Sequence, residues 1–190
     1  MSAAYAYNVE ILHLLVSPGH AYFGRARDGA ADVPTEDADR VEVVAGKGIV
    51  GDRFFGKAAH MDAAVTLFAV EGLEAMAGEL GADPFDPLLT RRNVILRGAQ
   101  LAPLLGQEFT LESGDSSVRL LGGRPAHPCA WMDRMLVPGA HAAMRGRGGI
   151  RCRAVGGGFL HRGPAVLLSP VTLEPERAGE AHVLRPSRLP

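Results

Sequence analysis

The sequence predicts a mainly β domain of the α+β kind, a closed or partly closed barrel-like sheet with a few short helices. The chain of 190 residues contains 24 Gly and 13 Pro, which excludes a bundle of long helices and favours many short elements. About eight segments have the composition of strands, whereas only one or two have the spacing of a helix. Hydrophobic residues make up 47% of the chain and charged residues 22%, a balance typical of a globular protein.

Strands and turns alternate in the first half of the chain. Three segments are rich in β-branched and apolar residues and have polar or glycine-rich flanks, which is typical of strands. They are residues 8–16, 40–45 and 63–70. The polar, turn-rich segment 17–40 predicts a long loop between the first two strands.

One segment of this half has helical spacing. Leu73, Met76 and Leu80 fall on one face of residues 71–80. Gly81 follows them and is the expected stop. We therefore predict one amphipathic helix here.

The motif GKGIVG (46–51) matches the dinucleotide-binding pattern G-x-G-x-x-G, with Glu71 at a suitable distance beyond it. That pattern must open a helix, whereas the segment after Gly51 has no helical stripe. We therefore interpret residues 46–51 as a glycine-rich turn between strands.

Short strands continue in the second half. Apolar or alternating runs predict two single strands, a hairpin around Gly114-Asp115 and a strand–glycine turn–strand unit. The strands cover residues 91–98, the hairpin 108–113 and 117–122, and the strand–turn–strand unit 150–169. Residues 101–106 and 124–135 predict helical turns or loops, as do residues 139–149. We predict a single domain over residues 1–173 and a polar tail or strap over 174–190.

The net charge of −1 hides two unlike halves. Residues 1–90 carry 6 Lys/Arg against 14 Asp/Glu, a net of −8, and residues 91–190 carry 14 Arg against 7 Asp/Glu, a net of +7. Residues 119–162 alone hold eight arginines and one acid, Asp133. This concentration predicts a small anionic ligand or an acidic partner protein.

Several classes of function are excluded by simple features. No stretch approaches the length of a membrane span, and the N-terminus has no basic segment before its apolar run, so we expect neither a membrane protein nor a signal peptide. Basic residues are not interleaved with aromatic ones, which argues against nucleic-acid binding. Two cysteines cannot build a disulfide framework, so we expect free thiols and a cytoplasmic location.

Cys129, in RPAHPCAWMDRM (124–135), is the strongest candidate for chemistry. Nearby cations stabilise a thiolate, which is both the nucleophile and the metal ligand. Cys152 is different, because strand alternation places Arg151 and Arg153 on one face and Cys152 on the other, toward the core. We therefore predict Cys129 to be functional and Cys152 to be structural.

Two arginine-bearing segments are candidate anion-binding elements. In RRN (91–93), alternation places Arg91 and Asn93 on one face of a strand and Arg92 on the other. Such a pair can hold a phosphate or a pterin-like ring. Alternatively, the arginine is a charged residue of an edge strand and the asparagine belongs to a turn. The glycine-rich run MRGRGG (144–149) presents Arg145 and Arg147 in the same way.

Four motifs stand in one order: GKGIVGDR (46–53), RRNVILRG (91–98), RPAHPC (124–129) and GRGGIRCRAVGGGFLHRG (146–163). Together they resemble the MOSC domain, found at the C-terminus of molybdenum cofactor sulfurases and as small stand-alone bacterial proteins. The resemblance covers roughly residues 8–170 and includes SPGHAYFG (17–24). It departs from the family at Gly163-Pro164, where members commonly have Gly-Asp.

The resemblance implies a mostly β, barrel-like fold and one functional cysteine, which falls on Cys129. It implies molybdenum cofactor (a pterin dithiolene) with Cys129 as catalytic residue and metal ligand, and reduction of N-hydroxylated or N-oxygenated compounds. The cofactor-binding residues expected on this basis are Arg91, Asn93, Arg124, Arg147, Asp52, Arg53 and His20.

Two other functions remain open at this point. Cys129 could carry a persulfide received from a cysteine desulfurase, in a sulfur-transfer module without a metal. Alternatively, the protein could bind a small anion without turnover. As an enzyme, the protein would also need a redox partner. In each case we expect a small anionic ligand or an acidic partner protein.

Overall fold

A closed barrel forms the body of the molecule. The computed structural model describes residues 5–182, and within them seven strands close into a barrel that one further short strand extends. The strands are β1 (Tyr5–Val16), β2 (Glu36–Asp37), β3 (Arg40–Val44), β4 (Gly48–Ile49), β5 (Val65–Ala69), β6 (Val94–Arg97), β7 (Glu108–Ser113), β8 (Ser116–Pro125), β9 (Ile150–Ala154), β10 (Gly158–His161) and β11 (Gly163–Ser169). The predicted mainly β, barrel-like class is confirmed.

The first and last long strands close the barrel. The strand order is β11-β7-β8-β9-β5-β6-β1-β2, and β1 also pairs with β11 from Tyr5 opposite Ser169 to Ile11 opposite Gly163. In the described part of the chain, β5 and β6 are parallel and every other barrel pairing is antiparallel. The three strands β10, β3 and β4 form a second, smaller sheet.

Two apolar clusters explain why β5 is buried along its whole length. Val65, Leu67 and Ala69 point into the barrel. Phe68 points outward, into a second cluster that includes Leu73 and Met76. A strand covered on both faces reads as a continuous apolar run, which is how this segment appears in the sequence.

Three short α-helices lie outside the barrel within residues 5–182: α1 (Val70–Leu80), α2 (Trp131–Met135) and α3 (Ala140–Ala143). The predicted helix over 71–80 is confirmed, with Leu73 and Met76 buried. Gly81 ends it in the left-handed conformation. No helix in the described residues is long and apolar enough to cross a membrane.

The remaining segments follow the sequence in most places. Residues 46–51 form a turn with β4, and the next α-helix begins only at Val70, so the interpretation as a glycine-rich turn is confirmed. The predicted hairpin around Gly114-Asp115 is also confirmed, as β7 and β8. The strand predicted over 91–98 is shorter, because it begins at Val94.

The predicted tail or strap is described over residues 174–182, and residues 183–190 lie outside the described residues. In the described portion, the carbonyl of Gly179 accepts a hydrogen bond from Arg147 Nε at 2.9 Å, and the His182 N–H donates to Gly146 O at 3.1 Å. This portion is therefore hydrogen-bonded to the segment between α3 and β9.

Candidate functional site

An open cavity of about 170 Å³ lies beside one end of the parallel pair β5 and β6. Four arginine side chains and one thiol line it. They are Arg53, Arg91, Arg92, Arg151 and Cys129. The chain therefore brings its candidate cysteine and a cluster of guanidinium groups, hereafter the arginine cluster (Arg53, Arg91, Arg92 and Arg151), to one place.

Cys129 occupies the loop between β8 and α2. Its side chain is exposed, and its carbonyl accepts a hydrogen bond of 2.9 Å from the Met132 N–H at the start of α2. The Ala126 N–H donates to Gly149 O at 2.9 Å and ties the loop to the segment before β9. A Cβ on Gly148 would lie 2.0 Å from Ala126 O, so only glycine allows this close approach.

Arg92 holds the cysteine loop and faces the cavity at once. Its Nη2 donates to Ala126 O at 2.9 Å and to His127 O at 3.3 Å, whereas its buried Nε has no partner within the described residues. Burial, and then repulsion from Arg151, lower the pKa of Arg92 to about 10. A buried guanidinium with an unused donor is ready to bind an anion.

Arg91 and Arg53 form the opposite wall. Arg91 Nη2 donates to Ser17 Oγ at 2.8 Å and to Gly19 O at 3.0 Å, so it ties the long loop after β1 to the cavity. Arg53 Nη2 donates to Arg91 O at 3.3 Å, and its buried Nε has no partner in the described chain. Burial is the main cause that lowers the pKa of each of these two guanidinium groups.

Arg151 projects outward from β9. The predicted alternation is confirmed here, because Cys152 is fully buried and burial raises the pKa of its thiol. Arg151 has no ion pair or side-chain hydrogen bond among residues 5–182, and its Nε is buried. Burial, and then repulsion from Arg124, lower its pKa.

The cavity is strongly cationic. Within residues 5–182 one carboxylate forms an ion pair with the arginine cluster, that of Asp52, whose Oδ2 lies 3.3 Å from Arg53 Nη1. Desolvated like charges are destabilising unless an anion compensates them. Three of the four guanidinium groups also have an unused buried Nε. The arrangement therefore suits an anion with several oxygen acceptors.

Behind this wall lies a saturated polar network around Asn93. Its Oδ1 accepts from the Thr66 N–H at 3.1 Å and Thr66 Oγ1 at 2.8 Å, and its Nδ2 donates to Leu15 O at 3.2 Å and Asp52 Oδ2 at 3.0 Å. The Asp52 carboxylate also accepts hydrogen bonds from Arg53 Nη1 and from the Phe54 N–H, so all its described partners belong to the protein. Asn93 and Asp52 therefore support the wall of the cavity and do not line it.

The predicted alternation at residues 91–93 is wrong. Arg91 and Arg92 both line the cavity, whereas Asn93 is buried behind it. The reason is local: Arg91 has a φ of +54°, and the strand begins only at Val94. Alternation applies within a strand and not to the residues that lead into it.

Aromatic side chains complete the cavity. His20 packs edge-on against Phe54 at 5.1 Å between ring centroids, and Tyr22 stacks on Trp131 at 5.3 Å. Burial, and then repulsion from Arg53 and Arg91, lower the pKa of His20, so its imidazole is neutral near pH 7. Burial raises the pKa of Tyr22 to about 12. The sequence analysis did not identify Tyr22 or Phe54 as site residues.

Half of the eight arginines of residues 119–162 are committed to other parts of the structure. Four of them form ion pairs elsewhere: Arg119 with Glu108, Arg147 with Glu79, Arg153 with Asp62, and Arg162 with Asp37. Expected cofactor-binding residue Arg147 is therefore outside the cavity, and Arg124 is beside it on β8. The charge around Cys129 instead comes from the arginine cluster, three of whose members lie outside residues 119–162.

Protein side chains alone do not assemble a metal site in this structure. Within residues 5–182 no group of three or more His, Cys, Asp and Glu side chains is placed to hold a metal ion. A metal at the cavity would have Cys129 as its cysteine ligand and would need further ligands from a cofactor.

The fold has clear structural relatives. The YUAD protein from Bacillus subtilis matches with a TM-score of 0.64 and 16% identity, over 88% of this chain and 98% of that protein. YiiM from Geobacillus stearothermophilus matches with a TM-score of 0.57 and 18% identity, over 84% of this chain and 74% of that protein. YiiM from Escherichia coli matches with a TM-score of 0.56 and 16% identity, over 93% of this chain and 75% of that protein.

The chain shares the fold of these three proteins. No family model matches the sequence, and no curated protein matches it. At identities of 16–18% these likenesses describe the fold alone, and the function has to be argued from the cavity itself.

Proposed function

We propose that this protein is a MOSC-domain enzyme that binds molybdenum cofactor in the cavity, with Cys129 as the protein ligand to the metal, and reduces N-hydroxylated or N-oxygenated compounds. One observation carries the proposal: an exposed thiol shares a cavity with four guanidinium groups, of which only Arg53 forms an ion pair with a carboxylate in the part of the chain that the structure describes. The motifs GKGIVGDR (46–53), RRNVILRG (91–98), RPAHPC (124–129) and GRGGIRCRAVGGGFLHRG (146–163) supply this constellation.

The cavity residues fit the chemistry of this cofactor. Its phosphate is an anion with several acceptors, and the unused Nε donors of Arg53, Arg92 and Arg151 are suited to such a group. Its two dithiolene sulfurs would complete a set of thiolate ligands with Cys129, which matches soft metals. In this proposal the arginine cluster binds the anion, and Cys129 provides the single protein bond to the metal.

When bound, the cofactor supplies two-electron redox chemistry. The overall reaction takes an N–OH group, two electrons and two protons to an N–H group and water, and a separate redox protein supplies the electrons. His20 is neutral near pH 7 and can hold or pass a proton at an imidazole nitrogen. Tyr22 and Phe54 add aromatic surface to the lining of the cavity.

Metal analysis tests the proposal. The protein is expressed in a host that makes molybdenum cofactor, and the molybdenum content of the wild type, Cys129→Ala and the control Cys152→Ala is measured per folded chain. We expect molybdenum in the wild type and the control and its loss in Cys129→Ala. Equal, negligible molybdenum in all three proteins would refute cofactor binding.

Sulfur transfer remains a second candidate because the Cys129 side chain is exposed, which a persulfide carrier requires. Incubation with a cysteine desulfurase and cysteine, followed by intact-mass analysis, tests it. A carrier gains one sulfur atom on Cys129 and none in Cys129→Ser. An unchanged mass of the wild type would eliminate this candidate.

A further inference from the structure

A β-bulge interrupts the pairing of β8 and β9 beside the cavity. Gly122 lies opposite Cys152, but the next pair along β9 joins Arg124 and Arg151, so Gly123 is an extra residue on β8. Bulges of this kind are enriched next to functional sites, where they turn a side chain to a new direction.

The bulge determines which way Arg124 points. Gly122 faces the barrel interior with Cys152, so under regular alternation Arg124 would also face inward. The extra residue places Arg124 on the outer face beside Arg151, and its side chain is exposed. A Cβ on Gly123 would lie 2.8 Å from Asp62 O and 3.3 Å from Arg151 O, so the bulge requires glycine.

This placement brings two like charges together without a counter-ion. Cross-strand neighbours of the same sign are destabilising. Neither Arg124 nor Arg151 has an ion pair or side-chain hydrogen bond within the described residues, and Arg151 Nε is buried and unpartnered. Other outward arginines of β8 and β9, namely Arg119 and Arg153, are each paired with a carboxylate.

We propose that Arg124 and Arg151 form a second anion subsite at the rim of the cavity, which takes a phosphate-type group. Arg151 also lines the cavity, so the subsite adjoins the anion site of the proposed function and rests on it. The group it takes is either a second phosphate of the ligand held in the cavity or a phosphate on a separate substrate molecule. Both sources share the same recognition by two guanidinium groups.

Calorimetric titration at constant ionic strength tests the subsite with inorganic phosphate and pyrophosphate as probes. The proteins are the wild type, Arg124→Gln, Arg92→Gln and the control Arg119→Gln, which removes the same charge from an outward position of the same strand. We expect pyrophosphate to bind about tenfold more weakly to Arg124→Gln and less than about twofold more weakly to Arg119→Gln. Arg124→Lys should recover part of the loss, because lysine keeps the charge without the fork of donors.

The stoichiometry distinguishes the two sources. If one pyrophosphate binds per chain and prevents the binding of inorganic phosphate, the result supports a single ligand with two anionic groups. Two phosphates per chain, reduced to one in Arg124→Gln, support a separate phosphate on the substrate.

The variants distinguish failure of the rim subsite from failure of the cavity site of the proposed function. If Arg92→Gln loses phosphate binding while Arg124→Gln matches Arg119→Gln, the subsite is overturned and the cavity site of the proposed function stands. If Arg124→Gln loses binding and Arg92→Gln does not, the subsite stands and the cavity site falls. If neither anion binds the wild type, both are overturned.

Discussion

The amide nitrogen Nδ2 of Asn93 donates to Asp52 Oδ2 across 3.0 Å, in a region from which solvent is excluded. This contact joins the turn after β4 to the entry of β6, two segments 41 residues apart in sequence. It also places Arg53, the next residue after Asp52, against the cavity. The positions of the cavity arginines thus depend on a buried polar network that does not itself line the cavity.

Loss of that network should reduce stability. Asn93→Ala removes one hydrogen-bond partner from each of several buried groups of Thr66, Leu15 and Asp52, so we expect the free energy of unfolding to fall by about 3 kcal/mol. Urea denaturation measures this, and the exposed Asn8→Ala should change the value by less than about 0.5 kcal/mol. A normally stable Asn93→Ala protein that no longer binds phosphate would instead support a direct contact with the cofactor.

The two thiols should react very differently. Cys129 is exposed, whereas Cys152 is buried in the barrel and its pKa is raised by burial. A disulfide reagent should therefore titrate one thiol per native chain and two after unfolding. Native Cys129→Ser should show no rapid reaction. Two rapidly reacting thiols in the native wild type would contradict the barrel position of Cys152.

Two glycine substitutions should have opposite effects. Gly148→Ala forces a methyl group to within 2.0 Å of Ala126 O, a backbone atom of the cysteine loop, and should cost more than about 2 kcal/mol. Gly78→Ala is the matched control, because the same methyl group meets nothing within 4 Å on the exposed face of α1. Alanine is the better helix former, so this variant should gain about 1 kcal/mol.

Thermal or urea unfolding gives both values. A Gly148→Ala protein as stable as the wild type would show that the loop carrying Cys129 is not packed against Gly148.

Anion binding should weaken at high pH through Arg92. Its pKa is lowered to about 10, so the guanidinium is charged below this pH and loses its proton as the pH rises through about 10. An anion favours the charged form, so binding raises this pKa and becomes proton-linked above about pH 10. Sulfate keeps its charge over this range and is the appropriate probe.

We expect the affinity for sulfate to be constant between about pH 8 and 9 and to fall at about pH 11 in the wild type. In Arg92→Gln the affinity should be weaker at every pH, and this fall should be absent. If the affinity for sulfate has the same pH dependence in both proteins, the group that loses its proton is not Arg92.

Local patterns predicted the parts of the fold that depend on near neighbours. The spacing of Leu73 and Met76 with Gly81 gave α1, and alternation gave the inward position of Cys152. Cys129, Arg53, Arg91 and His20 were also identified before the structure, and all four line the cavity.

The remainder of the site depends on contacts between distant segments. The backbone of Arg91 has a positive φ, which turns Arg92 toward the cavity, and a bulge redirects Arg124. Neither has a signature in strand periodicity. Likewise, Arg147 forms an ion pair with Glu79, which is 68 residues away in the sequence. The charge of this arginine, which contributes to the basic segment 119–162, is therefore neutralised by a carboxylate from a distant segment.

The pairing of β1 with β11 also constrains how the molecule is made. Residues 5–11 find their partners at residues 163–169, so the barrel cannot close until β11 has been synthesised. Until then β1 and β7 each present an unpaired edge, which is a surface prone to aggregation. Pairings of such long range also make folding slow for a chain of this size. The arginine cluster lies away from this seam, because Arg151 is on β9 and Arg92 precedes β6, and these two strands are joined by β5 and do not need β11 for their pairing.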